Sequence, residues 1–340
     1  MDRRRLLTTL AGAALLGLAP GFAARADQAA EEALTFFRIG TGPTAETLYA
    51  FGAAIAAGIS RPPGGSPCDQ GGICGVPGLI AVAQSKGGSI ENLEGLADDE
   101  LESALVHADM AYWAYNAAGP FKHRPPFTSL RVIANLTPVM MHVAVRANSD
   151  IQGFDDLRGR AVSLGPSGSG TVSNALLLLR TQGIPLEELR PRFLHPGPAS
   201  DALASGEIDA LFEIGGAPIE ALAALAERTP IRLLPIEGYA ARQMQSLYPF
   251  LRDGEIRGDL YNGVPPTPTL SLGVQWVTRS EQPADLIEAI ARALWSGPSE
   301  ELYSIDNPQS RFPTVEEAAR ETAVPIHKGA QAYYEQALSG

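Results

Sequence analysis

The chain has 340 residues, 45% of them hydrophobic, and a formal net charge of −12. That length allows one large domain or two of ordinary size, and the apolar fraction can build a core in either case. So acidic a protein is a poor partner for nucleic acid, whose phosphates call for basic patches, and no nucleic-acid partner is expected.

Residues 1–26 read as an export signal. Arg3-Arg4-Arg5 is the charged start, Leu6 to Ala19 is an apolar core too short for an ordinary membrane span, and Ala24-Arg25-Ala26 is a small-x-small cleavage site. Cleavage after Ala26 is expected, with export by the Sec or the twin-arginine route, since Arg3-Arg4 followed by Leu6-Leu7 fits the second loosely. An uncleaved anchor is the alternative. Removing the signal takes away four Arg and one Asp and leaves a formal charge of −15. No later apolar run is long enough to span a bilayer without charges, so a soluble periplasmic protein is expected.

The mature chain opens with a strand-like run, Leu34 to Ile39. The loop Gly40-Thr41-Gly42-Pro43-Thr44-Ala45-Glu46-Thr47-Leu48-Tyr49 follows, and a helical pattern continues through Ile59. Residues 61–78 form a Pro/Gly loop holding the two cysteines, Cys68 and Cys74. In an exported protein such close cysteines predict a disulfide; a metal would need more ligands, and none cluster here. Ile80 to Ala83 is a short strand, and Gly88-Ser89-Ile90-Glu91-Asn92-Leu93 turns into a helix. Ala104 to Tyr112 is a strand leading to a helix N-terminus, and Val132–Leu136 and Met141–Val145 read as two buried strands. Short strands alternating with helices predict an α/β fold with largely parallel sheets.

Ala161 to Leu179 is a second strand, loop and helix, with Gly165-Pro166-Ser167-Gly168-Ser169-Gly170-Thr171 as the loop. Ser169 or Thr171 can cap the helix, and glycines let the backbone approach a bound group. Exposed N–H groups at a helix start favour an anion such as a carboxylate. No Lys precedes Thr171, so this is not a P-loop, and the Gly-x-Ser-x-Gly nucleophile elbow is missing as well. An ordinary Gly-rich strand-to-helix turn is the alternative, but two such loops in one chain favour binding. Further on, the pattern predicts a helix at 199–205, a strand and loop from Ile208 to Pro218, a helix through Glu227, and a strand from Ile231 to Ile236. It then predicts a long surface segment at 252–269, a strand from Leu270 to Thr278, and an amphipathic helix from Pro283 to Trp295. Helices at 314–319 and 329–338 end the chain.

In this order the motifs resemble the TAXI family of extracytoplasmic solute receptors, partners of TRAP transporters. The family pattern Gly-Thr-Gly-x-Thr-x-x-Thr-x-Tyr is matched at 40–49 and Gly-Ser-x-x-Asn-Leu at 88–93. Asp109–Tyr115, Gly119-Pro120-Phe121-Lys122, His142–Ser149 and Gly165–Thr171 also match, so the resemblance covers essentially the whole mature chain. The family implies a two-lobed periplasmic-binding-protein type II fold, each lobe a mixed, mostly parallel sheet flanked by helices, with a ligand cleft between. Lobe 1 is then expected at 30–140 plus 240–340, and lobe 2 at 141–239. The resemblance also implies delivery of a small carboxylate, glutamate-like or a dicarboxylate, to a permease driven by an ion gradient. It implies no metal or cofactor and no catalysis, and a monomer is expected. The family's ligand residues fall here on Gly42, Thr44, Thr47, Ser89, Asn92, His107, Tyr112, Ser169, Gly170 and Thr171, and on the loop after Phe212, at Gly215. Three positions depart from the family: Glu46 where a small residue is usual, His107 for a common Gln, and Thr137-Pro138-Val139 without the acidic residue often found there.

Each site has a plain alternative. Tyr112, Trp113 and Tyr115 can be core aromatics, His107 a satisfied structural histidine, and His142 a buried hydrogen-bonded one. Two other functions fit a similar chain. One is an exported enzyme using Ser169 or His107 on a small anion; the other is a binding protein of an ABC transporter.

Overall fold

A computed structural model describes residues 34–42, 44, 47–65, 68, 74–167, 169–248, 250–296, 312–320 and 322–339. The export signal, Glu46 and the Thr47 side chain lie outside the described residues. No helix among those described is long and apolar enough to cross a membrane.

The chain runs β1 (Thr35–Gly40), α1 (Thr47–Ile59), β2 (Ser60–Arg61), β3 (Val76–Pro77), β4 (Leu79–Gln84), α2 (Ser89–Ala97), β5 (Ser103–His107) and α3 (Ala108–Asn116). The long strand β6 (Leu130–Arg146) leads into β7 (Ala161–Ser163), α4 (Gly170–Thr181), β8 (Arg190–Arg192), α5 (Pro196–Ser205), β9 (Ala210–Gly215), α6 (Glu220–Arg228) and β10 (Ile231–Leu233). α7 (Gly238–Leu247), β11 (Arg252–Ile256), β12 (Thr267–Arg279), α8 (Ala284–Leu294), α9 (Val315–Ala318) and α10 (Lys328–Ser339) complete it.

Among the described residues, ten strands form one mixed sheet with central order β4-β1-β5-β12-β6-β9-β7-β8. Pairing is parallel on both flanks and antiparallel in the middle. Strands from the first part of the chain lie on one side of the β12–β6 pair, and strands from the middle lie on the other. This is an α/β fold with a mixed sheet and flanking helices.

Where the sequence suggests two strands around Thr137-Pro138-Val139, β6 runs through unbroken. Proline cannot donate to a ladder, so it signals a break. Here Pro138 faces Gly273 beside a register shift between Gly273 and Gln275, and the irregularity absorbs it. A side chain at Gly273 would collide with the Asn135 amide oxygen, so glycine is needed at this joint. The expected surface segment at 252–269 begins instead as β11, a hairpin partner of β12. Helix α7 carried too weak an apolar pattern to be anticipated; its buried face is Ala240, Ala241 and Met244.

The core holds Trp276, whose ring meets Phe37 edge-on at 6.4 Å between centroids. Ile287, Ile290 and Leu294 bury the expected face of α8. Gly329 allows α10 to lie against it, because a Cβ there would run into the Ala284 carbonyl. Cys68 and Cys74 form the expected disulfide, with Cα atoms 4.8 Å apart.

Candidate functional site

The loop after β1 and the end of β5 are braced from α2. The Asn92 side chain is fully buried, and its Nδ2 donates to the carbonyls of Thr41 (3.1 Å) and Leu105 (2.8 Å). Ser89 Oγ accepts from the His107 backbone N–H at 3.1 Å. Both residues of the Gly-Ser-x-x-Asn-Leu element therefore hold loops in place. In the first loop, Gly42 is buried and Thr44 is exposed. Thr41 ties that loop to β4, its N–H and Oγ1 both donating to the Gln84 carbonyl.

The first turns of α3 and α4 meet. His107 is the N-cap of α3, half-buried, with extended backbone. Asp109, in the first turn, is fully buried. One of its oxygens accepts from the Met110 N–H at 2.8 Å, and the other accepts from Asn174 Nδ2 on α4. Asn174 is fully buried as well and also donates from Nδ2 to the Gly170 carbonyl at 3.0 Å. Two acceptors on the same nitrogen fix the amide's orientation. A Cβ on Gly170 would lie 2.9 Å from Met110 Cε, 3.2 Å from Asp109 Oδ2 and 4.0 Å from His107 Nδ1. A side chain at 170 would press on the end of Met110 and on the Asp109 carboxyl.

Ser169 caps α4, its Oγ accepting from the Val172 N–H at 3.3 Å. Thr171 is buried with Cβ and Cγ2 against Gly165, whose φ of +91° suits only glycine. Burial raises the Asp109 pKa, opposed by His107, Asn174 and the Met110 N–H; burial lowers that of His107, opposed by Asp109.

The structure thus brings His107, Ser169 and Gly170 to one junction and adds Asp109 and Asn174, which the sequence reading left out. The signal was present: Asp109 follows His107 by two residues at a helix start, and Asn174 follows Gly170 by four, on one helix face. Tyr112, one turn on from Asp109, packs on Phe250 and Tyr248 with centroids 5.4 and 6.0 Å away. Trp113 meets the same two rings.

Gly215 ends β9 opposite Met140, and the cis Ala217–Pro218 bond follows. Near it is a second polar centre. His142 is buried on β6 in register with Glu213 on β9. His142 Nδ1 is 3.0 Å from the Met140 carbonyl and Nε2 is 3.0 Å from the Tyr261 hydroxyl. That hydroxyl accepts from the Ile219 N–H at 2.8 Å. A carbonyl only accepts, so Nδ1 carries the ring proton and Tyr261 donates to Nε2. Burial pushes the His142 pKa down to about 4, keeping the ring neutral, and raises that of Tyr261.

Residues 39–337 match the NMT1-like family. The chain belongs to that family. Among similar solved structures, a TctC solute binding protein from Polaromonas aligns over 90% of this NMT1-like chain and 98% of its own, at 12% identity and a TM-score of 0.50. XAC2383 from Xanthomonas citri, bound to ATP, aligns over 88% and 94% at 11% identity and a TM-score of 0.51. The periplasmic aliphatic sulphonate binding protein SsuA from Escherichia coli aligns over 88% and 82% at 16% identity and a TM-score of 0.47. At such identities the likeness is one of fold.

Proposed function

We propose that this NMT1-like protein is an extracytoplasmic solute receptor of TAXI type. In this reading it takes a small carboxylate without metal or cofactor and passes it to a TRAP permease, as a receptor and not an enzyme. It works in the periplasm as a monomer after cleavage behind Ala26. The observation that carries the reading is the meeting of two helix starts, α3 and α4, from opposite sides of the β12–β6 pair. Such starts present N–H groups and the positive end of the helix dipole to an anion. An acidic chain has no general attraction for anions, so local donors must supply it.

The two halves act as lobes, 30–140 plus 240–340 and 141–239, closing about the β6–β12 strands. Ser169, Gly170, Thr171 and His107 face the ligand with Gly42, Thr44, Thr47 and Gly215 around them; Ser89, Asn92 and Tyr112 shape the walls. The similar fold of a TctC solute binding protein supports a receptor. A thermal-shift screen of organic and amino acids, followed by calorimetry, tests this, because a ligand binding only the native state raises its stability. Binding of a small carboxylate without turnover is expected; turnover, or no stabilisation by any acid, overturns it. Uptake reconstituted with a TRAP permease, and lost with an ABC importer, separates the two transporter types.

A further inference from the structure

We infer that Asp109 and Asn174 form a clasp that sets how firmly the two halves close; this rests on the receptor reading above. The two residues are 65 apart in sequence and sit on helices from opposite sides of the β12–β6 pair. Both are fully buried, and the bond joins them directly. The Met110–Gly170 approach seals the same junction with an apolar contact.

The pairing has a particular energetic character. Burying a carboxyl is unfavourable, and its two hydrogen-bond donors, Asn174 and the Met110 N–H, are neutral. Closing the halves strips water from Asp109 and offsets that cost with the Asn174 amide; opening them returns the carboxyl to water at little loss. Asp109 therefore opposes closure through its charge while Asn174 favours it. A joint built this way is balanced, and a bound ligand can tip it.

Small-angle scattering and thermal unfolding of the whole exported protein read this out without any ligand. Asn174→Ala leaves the carboxyl buried beside a missing donor, so the radius of gyration should grow while the protein still unfolds cooperatively. Asp109→Asn removes the charge but keeps only one acceptor oxygen for two donors, Asn174 and the Met110 N–H, so its radius should grow less than that of Asn174→Ala. Asp109→Ala loses the bond but also the desolvation cost, and should fall between them. In calorimetry with L-glutamate and succinate as probes, Asn174→Ala should weaken whichever binds by about tenfold or more, as expected for a hydrogen bond to a charged group. An unchanged radius for Asn174→Ala, or Asp109→Asn opening as far as Asn174→Ala, overturns the clasp. If no organic acid binds the wild type while the Asn174→Ala radius grows, the receptor reading falls and the clasp stands. If acids bind and every radius is unchanged, the clasp falls alone.

Discussion

Burial holds His107 and His142 toward the neutral form, as it does His327. Their settings differ. His142 is bonded at both ring nitrogens, to the Met140 carbonyl and the Tyr261 hydroxyl. His107 caps α3 beside Asp109 and within reach of Gly170 on α4, so its surroundings come from both sides of the central strands. The first is a fixed internal brace. The second sits where the first turns of α3 and α4 meet. Burial alone does not separate them; the difference lies in what surrounds each ring.

The largest break in that comparison is expected from Gly170→Val. Its side chain would press on Met110 Cε and Asp109 Oδ2, and on the receptor reading this disfavours the closed form. Ligand affinity measured by calorimetry should fall by roughly tenfold to a hundredfold, since overpacking costs on the order of 1–3 kcal/mol and the opened form binds poorly. The melting temperature should move little.

Acid should separate the two histidines next. The unfolded chain binds a proton on His142 near its ordinary value of 6.5, whereas the folded protein resists until about 4. The unfolded state thus holds more protons in this window, and stability is lost as pH falls through it, by about 3 kcal/mol. At the junction, His107 acts in the same direction but Asp109 acts oppositely: its raised pKa favours the protonated folded form, so its contribution is lost as pH rises. Denaturant unfolding from pH 7 to 4 should show the loss, and His142→Gln should remove most of the slope.

Tyr261→Phe strands the Ile219 N–H and the His142 ring nitrogen together. A loss of about 2 kcal/mol is expected, read as a melting temperature several degrees lower with the ligand dissociation constant unchanged. A changed affinity would show that the brace communicates with the site. The smallest effect on stability is expected from Ser169→Ala, which removes the N-cap bond to Val172 and should cost about 1 kcal/mol in chemical denaturation.

Much of the fold was legible because apolar periodicity and Gly/Thr loops are local signals. Strand β1, helix α1, the Ala284–Leu294 helix and both strand–loop–helix units fall within a few residues of expectation. What was not legible is what only the third dimension supplies. Asn92 looks like a ligand residue in sequence, yet its donors go to the Thr41 and Leu105 carbonyls. Asp109 looks like an ordinary acidic residue at a helix start, yet its partner lies 65 residues away. Pro138 signals a break within β6, but the neighbouring strand absorbs it through an irregularity at Gly273 and Gln275.

That irregularity has a consequence for the chain's tolerance to change. Side chains on a strand alternate faces with a period of two, so a one-residue insertion or deletion normally turns everything beyond it inside out. Strands β6 and β12 run through the middle of the sheet, with the early strands on one side and the later strands on the other. The offsets between Gly273 and Gln275 and between Trp276 and Val277 are where β6 and β12 already change phase against each other. Length changes confined to these offsets are expected to re-angle one half against the other while sparing both cores. The same changes a few residues away, at Leu270 or Val143, would displace a buried row.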